Sequence, residues 1–234
     1  MTKPQVLAVR NGPVAEITLN RPERRNALTA GLVTELHAEV GSANRADEVG
    51  AILIHGAGGS LCSGLDLKDP GVAEIAPAWQ SFHRSIAAMH TPLVIALEGA
   101  AINAGAALTF AGDIVIAGRS AFLEVMEARI GMMPPVNLAW LLYRHSVALG
   151  SRLALTCERV TGPDLERLGI AQRVVEDDAV LNAARAMARQ IADYPKQSGA
   201  GVLGMLYRGS TAQGRSFDDL LDALNGPVVN DSGE

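Results

Sequence analysis

Cysteine is scarce in this chain. Its two thiols, Cys62 and Cys157, stand far apart and fit no metal-ligand spacing, which excludes a disulfide scaffold and a thiolate metal cluster. Aromatic residues make up only 4% of the 234 residues, and no basic stripe carries them interleaved, so the pattern argues against a nucleic-acid surface. No apolar run approaches the roughly 20 residues that a membrane span needs. The N-terminus lacks the apolar core of a secretion signal, which makes the cytoplasm the expected compartment and a membrane an unexpected partner. The net charge of −5 is spread along the chain and forms no tail. What is present is 48% hydrophobic and 19% charged residues, the balance of an ordinary α/β protein. The length suits one large domain with a sizeable core, and no shift in composition divides it.

In order, Val6 to Arg10 and Val14 to Leu19 alternate around Asn11-Gly12-Pro13, a hairpin signal. A polar, basic turn over Asn20 to Ala27 leads into a helix over Leu28–Ala43, with Leu32, Val33, Leu36 and Val40 at helical spacing and Thr29 as its cap. Ala51–Ile54 reads as a buried strand, Gly58 to Leu67 as a Gly- and Ser-rich loop, and Ala76–Met89 as a helix. Ile114–Ala117 is a further buried strand. Leu138–Ala148, continued by Ser151–Leu155, then Pro163–Leu168 and Ala179–Ala192 read as helices, with a brief strand at Val174-Val175. Leu203–Tyr207 and Phe217–Leu224 read as short helices, and the tail from Asn225 as frayed. Strands and helices alternate without a strict repeat, so the pattern alone gives α/β.

The stretch Glu98 to Asp113 is the candidate site. The strand over Pro92 to Leu97 runs into a small-residue loop and a helix over Ala104–Ala111, with Asn103 at the N-cap position. Free N–H groups at a helix start can hold a developing oxyanion, and small residues admit a ligand to the backbone. Tight strand–helix packing is the competing explanation of the same residues.

Several motifs, in order and spacing, resemble the crotonase superfamily, the enoyl-CoA hydratase/isomerase family. They are Leu19-Asn-Arg-Pro-Glu23 with Asn26-Ala-Leu28, Ser63-Gly-Leu-Asp-Leu67, Gly99 to Asp113, Glu127-Ala-Arg-Ile-Gly131 with Pro134, and Glu158 to Ile170. The resemblance implies a single domain over 1–234. Its crotonase-like spiral of ββα units would fill about 1–190, with a short helical C-terminal region over about 191–234. It also implies an acyl-CoA substrate with no separate cofactor beyond that coenzyme A, and a homotrimer or hexamer. The positions matching the family's oxyanion donors are the N–H groups of Leu65 and Ala104, and its catalytic carboxylate matches Glu127. Arg24 and Arg25 match residues that would meet the coenzyme A phosphates, with Ala27, Ser63, Leu65, Asp66 and Leu67 along the adenine and pantetheine path. For Asp66 and Asp113 a structural role is the alternative.

Family hydratases hold water between two glutamates, and the second position here is Ala107, whose methyl cannot activate water. One carboxylate with an oxyanion hole suffices to move a double bond between the 3 and 2 positions, so the expectation leans to isomerase chemistry within fatty acid metabolism. A non-catalytic acyl-CoA binding protein is the alternative. Thioester hydrolysis would need a polar partner that the residues do not identify. As substitutes for the missing carboxylate, Asn103, Glu74, Glu124, His83 and His90 each have a structural reading: a helix cap for Asn103, solvated surface for Glu74 and Glu124. Cys62, beside the oxyanion loop, reads as a packed thiol before a nucleophile.

Overall fold

A computed structural model describes residues 3–212 and 216–226 of the chain. The first half holds β1 (Val6–Asn11), β2 (Val14–Leu19), α1 (Ala30–Arg45), β3 (Ala51–Gly56), α2 (Val72–Ala87), β4 (Leu93–Leu97), β5 (Ala100–Ile102) and α3 (Ala104–Ala111). Then come β6 (Ile114–Gly118), β7 (Phe122–Glu124), α4 (Pro135–Arg144), α5 (Val147–Thr156), β8 (Val160–Thr161), α6 (Gly162–Arg167) and β9 (Arg173–Val175). Helices α7 (Val180–Ala192), α8 (Lys196–Ala212) and α9 (Phe217–Asn225) end the described chain.

The main sheet runs β1-β2-β3-β4-β6-β9, antiparallel between β1 and β2 and parallel from there on. After each central strand the chain steps to a smaller sheet of β5, β7 and β8. Cys62, which follows β3, bridges Ala101 of β5, and β5 pairs with β7. The pairs β3 with Cys62, β4 with β5, and β6 with β7 are therefore successive turns of a ββα spiral.

Strand β4 is buried along its whole length because both faces of the sheet are covered. Leu93, Ile95 and Leu97 enter the large core under α1, α2 and α3, while Val94 and Ala96 face α7. That helix offers Ala184, Ala188 and Ala192, one every turn, so its backbone lies close to the sheet.

Most elements follow their sequence signals, and the differences have local causes. Thr29 does cap α1, accepting from the Leu32 N–H. Helix α2 begins a turn before the expected Ala76 and carries Pro77 inside it. The helical stretch from Leu138 is two helices: α4 opens earlier, with Pro135 at its first position, where a missing N–H costs nothing. The chain then breaks at His145 (φ −131°, ψ −117°), and Ser146 caps α5. Leu203–Tyr207 is the middle of the longer α8. Strands β5 and β8 are too short to show alternation. The tail expected to fray lies, from residue 227, outside the described residues.

Candidate active site

A cavity of about 440 Å³ opens between the Ser63 to Leu67 loop, α2, the start of α3, and the segment from Met126 into α4. Its walls are mainly apolar, with Leu65, Leu67, Trp79, Ala104, Ala107 and Val136 among them, and its polar side chains include Glu127 and Asn137.

Two loops are laced together at one wall. Leu28 N–H donates to the Gly64 carbonyl, Asp66 N–H to that of Leu28, and Ser63 N–H to that of Arg25. Asn26 is fully buried beneath them, accepting from Arg21 N–H and donating to the Ala57 and Ser60 carbonyls. Between these bonds the Leu65 N–H has no protein acceptor among the described residues. Ala104 is the first residue of α3, so its N–H has no intrahelical acceptor. Both amides belong to residues that line the cavity.

Gly105 sets how closely α3 approaches the loop, since a Cβ there would stand 2.3 Å from the Cys62 carbonyl oxygen. At this position the close-packing explanation of the small residues holds. Asn103 does not cap α3 as expected. It sits at φ 52°, ψ −105°, with no side-chain bond to the helix. Its Oδ1 accepts from the Met126 N–H at 2.9 Å, and its own N–H donates to the Glu124 carbonyl at 2.9 Å. It ties the start of α3 to the chain just before Glu127.

Glu127 opens a 3-10 turn, Glu127–Ile130, and is 8% exposed. Burial raises its pKa above the ordinary carboxylate value, opposed by hydrogen bonds that include one from Asn137. Asn137 Nδ2 donates to Glu127 Oε1 at 2.9 Å. Glu127 Oε2 and Asn137 Oδ1 are buried without a protein partner. Asn137 carries no motif and stands just before the stretch whose periodicity suggested a helix, which is why sequence patterning passes over it.

Arg25, Ser63, Leu65, Leu67, Ala104, Ala107 and Glu127 all line the cavity. Arg24, Ala27 and Asp66 do not. Arg24 points to solvent and its carbonyl accepts from Ser63 Oγ, while Asp66 pairs with Arg21 at 3.0 Å. Asp66 is thus structural, as is Asp113, which binds Arg144 and Tyr207 and accepts from Leu93 N–H.

Of the possible substitutes for a second carboxylate, Glu74 and His90 are exposed. Glu124 is not solvated as expected: it is buried and paired with Arg159 at 2.7 Å. His83 is fully buried, accepts from Trp140 Nε1 at 2.7 Å, and has its pKa pushed down to about 3 by burial. Burial pushes the Cys62 thiol up to about 12, so it holds its proton and is no nucleophile.

The fold and this cleft define a class: a ββα spiral whose cavity is lined by two residues with backbone N–H groups free among the described residues and by one buried carboxylate. Solved structures share the fold. An enoyl-CoA hydratase from Mycobacterium smegmatis superposes with a TM-score of 0.80 at 30% identity, covering 95% of each chain. A monofunctional enoyl CoA isomerase from M. smegmatis gives 0.78 at 25% identity, over 94% of this chain and 99% of that one. In sequence the chain is 31% identical over 222 residues to the 1,2-epoxyphenylacetyl-CoA isomerase of Escherichia coli (strain K12), covering 89% of this chain and 83% of that protein. It is 34% identical over 204 residues to a probable enoyl-CoA hydratase of Rhodobacter capsulatus, covering 84% and 78%. The family model for enoyl-CoA hydratase/isomerase matches residues 9–215, and the chain belongs to that family. It is an acyl-CoA enzyme of hydratase/isomerase type.

Proposed function

We propose that the protein moves a double bond along the acyl chain of an enoyl-CoA, with Glu127 as its only acid/base. The thioester oxygen accepts from the N–H groups of Leu65 and Ala104, which acidifies the α-carbon. Glu127 takes the proton from C2 of a 3-enoyl thioester. The electron pair left behind delocalises into the enolate, and the proton returns at C4 to give the 2-enoyl thioester. Arg25, at the cavity wall, is the residue suited to a coenzyme A phosphate. Coenzyme A enters as part of the substrate and no separate cofactor is required.

The observation that carries this reading is the pairing of one buried carboxylate, its pKa raised by burial, with a methyl, Ala107, in the same cavity. A single base suffices for a proton shuttle, whereas water addition in the family uses two carboxylates. The reading extends to a cytoplasmic homotrimer or hexamer, which sedimentation of the purified protein tests.

The chemistry is decided by incubating the protein separately with 2-enoyl-CoA and 3-enoyl-CoA, with Glu127→Gln as control. Interconversion of the two, lowered about 10²–10⁴-fold by the substitution, is expected. Hydration without isomerisation, or turnover indifferent to Glu127, overturns it. Tight acyl-CoA binding with no α-proton exchange would instead make the chain a binding protein.

A further inference from the structure

The side chain of Asn137 is 2% exposed and lines the cavity. Its Nδ2 donates to Glu127 Oε1, and its Oδ1 has no protein partner. Among the described residues, then, the amide has one polar contact, and that contact is Glu127. A buried amide that leaves its carbonyl unmatched contributes little to the fold that a similar apolar side chain would not. Its position on the first turn of α4, after the Pro134-Pro135 stop, aims it back at the 3-10 turn that carries the carboxylate.

We infer that Asn137 is the positioning residue of the acid/base: its Nδ2 locks Glu127 Oε1, fixes the rotation of the carboxylate, and leaves Oε2 as the oxygen that carries the proton. In the step this serves, the C2–H bond breaks and its electron pair passes into the enolate. The proton joins Oε2 and later leaves it for C4, so Glu127 ends as it began. This rests on the reading of Glu127 as the base.

No charged side chain contributes to the raised pKa of Glu127: burial raises it, and hydrogen bonds from the backbone and from Asn137 oppose the rise. Arg25 on the facing loop and Arg129 on the same turn are both exposed, and His83 of α2 is buried and neutral. The hydrogen bond from Asn137 is the side-chain contact that favours the ionised carboxylate, beside bonds from the Glu127 and Met126 backbone, and its removal is expected to show in a pH profile.

The test is deuterium exchange at C2 of butanoyl-CoA, a saturated thioester, followed against pH in the unaltered protein, Asn137→Leu and Asn137→Asp. Losing the donor in Asn137→Leu is expected to move the acid limb up by about one pH unit and to lower the plateau towards about 10²-fold as the carboxylate turns freely. Asn137→Asp keeps the shape and sets a like charge beside Glu127, moving the limb further in the same direction. If Asn137→Leu does not fold, Asn137→Asp decides. Abolished exchange with unchanged acyl-CoA affinity also supports the role. An acid limb unmoved in a folded variant overturns it. Exchange surviving in Glu127→Gln would sink the assignment of the base itself, a different outcome from an unmoved limb beside an inactive Glu127→Gln.

Discussion

Glu127 is held in a place that disfavours its charge, and this ties activity to stability. Its folded pKa is raised, so above the ordinary carboxylate range the unfolded chain has given up a proton that the folded chain still holds. Stability then falls as pH rises through the folded value. Glu127→Gln removes that penalty, so its stability advantage over the unaltered protein should be larger at pH 8 than at pH 5 in urea unfolding. Equal gaps at both would mean that burial does not tune this group. His83 works the other way. With its pKa near 3 against 6.5 for a free imidazole, the folded state refuses a proton that the unfolded chain accepts between those values, and stability is lost as pH falls across that window. His83→Leu should flatten that part of the curve.

Asn103 gives a third residue-scale prediction. Its backbone conformation favours glycine, so Asn103→Gly should relieve about 1 kcal/mol of strain while losing about 1 kcal/mol of hydrogen bonding to Met126. Thermal unfolding should change little. Enoyl-CoA turnover should fall, because the side-chain bond from the start of α3 to Met126 is gone and only the backbone bond to Glu124 remains. A variant as active as its parent would show that the Met126 bond does not position Glu127.

At the scale of elements, the junction of β5, α3 and the Cys62 loop depends on one absent side chain. Gly105→Ala forces a methyl against the Cys62 carbonyl. The expected cost is about 1–3 kcal/mol, read by denaturant titration, together with a loss of activity as Ala104 and Leu65 move apart.

Much of this element was legible beforehand. The span of α3 is the expected one, and Leu65, Ala104 and Glu127 do meet at one cavity. Helical boundaries and motif order are local properties and are carried by local residues. The function of Asn103 was not legible, because an Asn before a helix signals a cap, and only the third dimension brings Met126 within its reach. Asn137 escaped for a related reason: its partner is supplied by a turn across the Pro134-Pro135 stop. Asp66 and Glu124 found their roles through Arg21 and Arg159, partners remote in sequence.

Across the whole molecule, the far wall of the cleft is held by an aromatic seam. Trp79 of α2 packs edge-on to His83, His83 accepts from Trp140 of α4, and Phe217 of α9 lies 4.3 Å from Trp140 between ring centres. Arg84 reinforces the seam by pairing with Asp218 and Asp222. The last described helix thus packs against α4, the helix that carries Asn137. Phe217→Ala should cost about 3–5 kcal/mol and weaken acyl-CoA binding as α4 loosens, measurable by unfolding and by titration calorimetry. Lost stability with intact binding would separate the seam from the cleft.

The burial of the thiols also makes the protein its own reporter. Cys62 and Cys157 are 0% and 2% exposed, and Cys62 is strapped on both sides by backbone bonds to Ala100 and Ile102. Alkylating reagents therefore cannot reach Cys62 until its segment parts from β5. The rate of iodoacetamide labelling at Cys62 is a direct readout of how often that loop opens, and a bound acyl-CoA, which would span the loop and α3, should slow it.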